Sequence, residues 1–83
     1  MRNMTFCDVS AFYDDVLMFW RWHISFSKDT DVLSDVEFEY GNVSLALDGA
    51  LSYVDVLGGP SCIVRSCKTF YTYDAFETHL STI

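Results

Sequence analysis

The chain of 83 residues predicts an α+β domain, an antiparallel sheet of about four to five strands in meander order with a short helix at each end. Three observations lead there. Apolar and polar residues alternate over Trp20–Ser27, Val36–Tyr40 and Val43–Leu47, which is the period of half-buried strands. Gly41-Asn42, between the last two runs, tolerates positive φ and suits a two-residue hairpin turn. Both ends carry helix spacing instead: Phe12 and Val16 near the start, and Phe76, Leu80 and Ile83 along one stripe at the finish.

The first helix is expected over about Asp8 to Leu17, with Asp8 or Ser10 as N-cap and Asp14 and Asp15 among its early residues. A helix continued to Ile24 competes with a strand for the next stretch. The alternation favours the strand, with Trp20, Trp22, Ile24 and Phe26 turned inward. Whether both tryptophans are core residues stays open. Lys28 to Asp35 reads as a polar connection, followed by the hairpin and a second tight turn at Asp48-Gly49. Val54 and Val56 favour a strand over Ala50–Leu57, with helix as the alternative. The Gly58-Gly59-Pro60 turn leads into a long strand, about Cys62 to Tyr73. Asp74 followed by Glu77 resembles a capping box and opens the last helix. Both helices are expected on one sheet face, leaving Arg21, His23, Glu37, Glu39 and Ser44 on the other.

Composition narrows the class. Hydrophobic residues make up 51% and aromatic residues 17% of the chain, too much for intrinsic disorder. Twelve acidic residues against five basic ones give a net charge of −7, the wrong sign for a protein that neutralises phosphates. The length allows one domain over 1–83. A domain of this size buries only a little over ~60% of its unfolded surface, so its rings or oligomerisation must compensate. The longest apolar run, Val16 to Trp20, is too short for a membrane span, and Asp8, Asp14 and Asp15 interrupt any signal-peptide core. Three cysteines, Cys7, Cys62 and Cys67, leave no fully paired framework. The spacing of Cys62 and Cys67 in a strand puts them on opposite faces, beyond disulfide reach. A cytoplasmic location is expected, and the glycosylation patterns at Asn3 and Asn42 read as chance matches.

No catalytic motif emerges. His23 and His79 lie in no recognisable arrangement with Ser or Cys, and Asp14 and Asp15 diverge by ~100° if helical. His23, Glu37 and Glu39 are a conceivable metal set, but Arg21 on the same face supplies a simpler partner for a carboxylate. Asp29-Thr30-Asp31 and Asp35 lack the glycine and terminal Glu of a calcium loop. Gly58-Gly59-Pro60 is neither dinucleotide fingerprint nor P-loop, and Pro60 removes an amide that a phosphate cradle would use. No enzyme activity, metal or cofactor is expected.

The acidic surplus is the distinctive feature. Asp8, Asp14, Asp15, Asp29, Asp31, Asp35, Glu37 and Glu39 precede or flank the first strands, and as neighbours they would form one negative surface. A compact chain of this length spans at least ~24 Å. Duplex DNA of that length carries ~14 charges, about half facing one partner, which matches a net charge of −7. The expectation is a small non-enzymatic binding protein that occludes a basic, nucleic-acid-binding site on a larger protein. The composition is similar to that of small phage-encoded inhibitors of host defence, anti-CRISPR proteins among them, a likeness without any shared motif. The alternative is a structural or regulatory homodimerisation module with an aromatic interface.

Overall fold

Cys7, Val9 and Ala11 alternate along the first strand, Cys7 and Val9 packing with a helix, while Phe12, next in the chain, meets a second helix on the other side. The computed structural model describes residues 5–26, 30–59 and 61–82. Its elements are β1 (Thr5–Asp14), β2 (Phe19–Phe26), β3 (Thr30–Leu33), α1 (Val43–Gly58), β4 (Cys62–Phe70) and α2 (Tyr73–Ser81). The four strands form one sheet in the order β3-β2-β1-β4. β2 is antiparallel to both neighbours, and β4 runs parallel to β1. The domain is therefore α+β, but its sheet is mixed and not an antiparallel meander. A parallel neighbour needs a crossover. Helix α1 provides it, connecting β3 at one edge to β4 at the other while packing on β1 and β2.

Five expectations are corrected. The expected helix over Asp8 to Leu17 is instead the central strand β1 and the turn after it. Cys7 to Ala11 do alternate apolar with polar, but Phe12 puts a large apolar side chain on the polar face, and Val16, the supposed helical partner of Phe12, is 84% exposed in the turn. The hairpin at Gly41-Asn42 is absent as well. Asn42 is the N-cap of α1, its Oδ1 accepting from the Leu45 N–H at 3.0 Å. Val43–Leu47, the Asp48-Gly49 turn and the expected strand Ala50–Leu57 all become one helix, whose buried residues Ala46, Ala50 and Val54 recur every four positions. Its glycine has a packing reason: a Cβ on Gly49 would lie 2.6 Å from the Tyr40 Oη. The expected strand Val36–Tyr40 is a loop, and its Tyr40 pairs with the sheet through an isolated bridge to Trp20. Finally, the helices cover opposite faces. Helix α1 lies on the Cys7, Val9, Trp22 and Ile24 side, and Phe76 of α2 stacks on Phe12 at 3.9 Å between ring centroids.

The expectations for β2, β4 and α2 hold in kind. β4 ends at Phe70, and α2 is capped by Thr72 in place of Asp74, its Oγ1 accepting from the Ala75 N–H at 3.1 Å. Trp22 is buried and Trp20 half-buried; the Trp22 indole N–H donates to the Tyr40 Oη at 3.2 Å. The pairing of β4 with β1 shifts between Cys7 and Asp8, so Arg65 is left between the partners Val64 and Ser66. That bulge resets the alternation. Cys67 registers with Val9 and Val64 with Cys7, both on the α1 side, so Cys62 and Cys67 do not face opposite ways. All three cysteines are free. Pro60 and Ile83, and the Lys28-Asp29 part of the expected connection, lie outside the described residues.

Phe76 is the buried side chain that holds α2 to the sheet. Phe76→Ala is expected to cost about 3–5 kcal/mol. Thermal unfolding would read that loss, and hydrogen exchange should rise first in α2 while α1 stays protected.

Candidate functional site

The eight carboxylates singled out in the sequence divide by environment. Asp14 is 4% exposed. Its Oδ1 accepts the Val16 and Leu17 N–H groups at 3.0 Å, and its Oδ2 accepts from Arg21 at 3.2 Å. Burial alone would raise its pKa, but these bonds hold the carboxyl below its ordinary value. Asp8 behaves alike: burial opposes ionisation, and bonds from Ser66 at 2.8 Å and Arg65 at 2.9 Å outweigh it. Asp14 is thus offset inside the fold, whereas Asp8, its side chain 37% exposed, is paired at the surface. The expectation that Asp14 joins an outward acidic surface is corrected on that ground.

Arg21 also sets where the remaining acids go. Its second terminal nitrogen donates to the Ser34 carbonyl at 3.0 Å, its guanidinium lies 5.7 Å from the Phe12 ring centre, and its buried Nε has no hydrogen-bond partner among the described residues. Ser34 is held from the other side as well, exchanging bonds with the Trp22 backbone at 2.9 and 3.1 Å. The chain then leaves the sheet and returns at Tyr40, whose carbonyl accepts the Trp20 N–H at 2.9 Å. Asp35, Glu37 and Glu39 are exposed on this loop, which is tightened by the Glu37 N–H on Asp35 Oδ1 at 3.2 Å. Because Trp20 pairs with Tyr13 and Phe19 with Asp14, the turn carrying exposed Asp15 lies at the same end of the sheet. Asp31 is exposed on the edge strand β3. Asp29 lies outside the described residues.

Apolar side chains accompany these acids, and sequence reasoning missed their role. Val16, Leu17 and Met18 are exposed on the β1–β2 turn, and Val36 and Phe38 on the acidic loop. Behind the loop an open groove of about 250 Å³ is lined by Trp22, Val32, Leu33, Phe38, Tyr53 and Leu57, with Asp35 beside them. The signal was present as large apolar residues between carboxylates, Val36 and Phe38 alternating with Glu37 and Glu39, but that alternation was assigned to a strand.

The other chemical candidates separate. Glu37 and Glu39 sit on the loop, whereas His23 is 6% exposed on the face that α2 covers. Among the described residues no group of three metal-ligating side chains is found. Burial pushes the Cys7 thiol up to about 12, so it is not a reactive thiolate. No helix among the described residues is long and apolar enough to cross a membrane. Comparison with protein-family models, curated proteins and solved structures finds no match.

Burial holds the His23 pKa below its ordinary value; Asp31, 3.7 Å from Nε2, opposes this and His79 adds to it. The unfolded chain therefore binds more protons here just below pH ~6.5, and stability falls as the pH drops through that range. Asp8 and Asp14 have depressed values, so their contribution is full above the unfolded value of 3.8 and is lost as the pH falls through their folded values. Urea midpoints measured against pH should fall in two stages. His23→Gln is expected to flatten the first and leave the second.

Proposed function

We propose that this is a small non-enzymatic binding protein that occludes a basic, nucleic-acid-binding surface on a larger protein, as phage-type inhibitors of host defence such as anti-CRISPR proteins do. One observation carries the reading. Asp35, Glu37 and Glu39 are exposed around Val36 and Phe38, on a loop that borders an apolar groove. Exposed carboxylates attract a basic surface and speed encounter. Apolar side chains ringed by charge supply the dry centre that gives such an interface its affinity. Asp15 and Asp31 extend the negative field.

The homodimer reading drew on a surplus of rings. Phe12, Phe76, Phe70 and Tyr73 contact one another within the chain, as do Trp20, Tyr13 and Tyr71. The fold thus accounts for much of that surplus internally, which favours the binding reading.

A partner is sought by affinity capture at low salt and then tested directly. Its binding should weaken as ionic strength rises and should compete with the nucleic acid that the partner carries. The triple variant D35N/E37Q/E39Q is expected to slow association about tenfold at low salt. Phe38→Ala should cost about 2 kcal/mol and leave the salt dependence unchanged. Binding that ignores salt, or that leaves the partner's nucleic acid in place, overturns the reading.

A further inference from the structure

We propose that the sheet face beside α2 holds a separate site for a small oxyanion of phosphate size, with Lys68 supplying the charge and Ser10, Ser25, His23 and His79 the hydrogen bonds. Phe76 covers this face where Phe12 lies and reaches the His23 ring. Beyond it the strands' polar side chains line a cleft of about 230 Å³: Ser10, His23, Ser25, Lys68 and His79, with Asp8 and Ser66 completing the wall. One water needs only ~10–15 Å³, whereas drug-sized ligands fill ~300–1,000 Å³. The space suits a small ion and its immediate hydration.

Two features of the lining ask for a ligand. Ser10 is 3% exposed, its side chain has no hydrogen-bond partner among the described residues, and it faces the cleft; His23, scarcely more exposed, lines the cleft too, with Asp31 Oδ1 3.7 Å from its Nε2. Buried polar groups of this kind ordinarily have a partner. The local charge decides the ligand's sign. Asp8 has one oxygen on Ser66 and the other on Arg65, so its charge is already offset. Lys68 registers with Ser10 and makes no direct ion pair among the described residues, although its charge acts on Asp8 from a distance. A cation would sit against its ammonium, whereas an oxyanion meets one positive charge and several O–H and N–H donors. Of the cationic side chains described, Arg21 is tied to Asp14, and Arg65 and Lys68 both border this face. Arg65 and Lys68 thus offset the carboxylates of Asp8 and Asp31 that border this face, in a chain whose net charge is −7.

The test is an NMR titration of the whole protein with sodium phosphate, against sodium chloride at equal ionic strength. Saturable shifts at Ser10, Ser25 and Lys68 are expected with phosphate and not with chloride. Lys68→Ala should weaken binding about tenfold, the worth of one charge-assisted bond, and Ser10→Ala should weaken it also. Phe38→Ala should leave phosphate binding unchanged, which separates this site from the acidic loop. An equal response to chloride, no saturation at millimolar phosphate, or unaltered affinity in both Lys68→Ala and Ser10→Ala would overturn the proposal.

Discussion

Burial of β1 on both faces is the constraint around which this fold is arranged. Cys7, Val9 and Ala11 are closed off by α1, and Phe12 by α2, so a chain of 83 residues places its central strand in a three-layer interior. A single sheet with helices on one side would leave Phe12 in water, forfeiting roughly 1.5–3 kcal/mol. The parallel β4 follows from the same constraint. Covering the Val9 side takes a helix that spans the sheet, and a helix departing from β3 at one edge delivers the chain to the other edge beside β1.

The interior also determines which carboxylates remain available. Asp14 and Arg21 form a buried pair at 3.2 Å. Such pairs contribute little net stability, although losing one partner costs about 3–5 kcal/mol. Its value here is geometric. The same guanidinium reaches the Asp14 carboxylate at the β1–β2 turn, the Ser34 carbonyl at the end of β3 and the Phe12 ring. One side chain thereby fixes the turn that carries Asp15 and the point where the Asp35–Glu39 loop leaves the sheet.

What was legible in the sequence follows from which signals are local. β2 and β4 were readable because their residues alternate or are β-rich over a long stretch, and α2 because Phe76 and Leu80 repeat at helical spacing. β1 and α1 were not. The alternation of β1 over Cys7 to Ala11 is carried by small residues and cut short by Phe12, and a chance pair four apart imitated a helix. In α1 the small residues Ala46 and Ala50 carry the helical stripe, while the larger Val43, Leu45 and Leu47 display a period of two. Asn42 suits a hairpin turn and an N-cap equally, and only the distant parallel pairing of β4 with β1 decides between them. Of the acidic residues, Asp15, Asp31, Asp35, Glu37 and Glu39 are exposed as expected. Asp14 was misread, and the pairing of Asp8 missed, because their cationic partners, Arg21 and Arg65, are brought close only by strand register.

The two outward faces of the sheet need not conflict in one small acidic molecule. Charges on the loop act through water, where screening sets in over ~8 Å at physiological ionic strength. Asp31 is the point of contact between the two regions, being exposed on the edge strand and 3.7 Å from the His23 ring. A cationic partner placed against Asp31 would remove the influence that now favours protonation of that imidazole, leaving burial to hold it neutral. A neutral imidazole donates through one nitrogen and accepts through the other, so Asp31 and any occupant of the cleft draw on the same ring. Coupling of this kind requires no movement of the backbone, only that the same carboxylate borders both the partner and the buried ring.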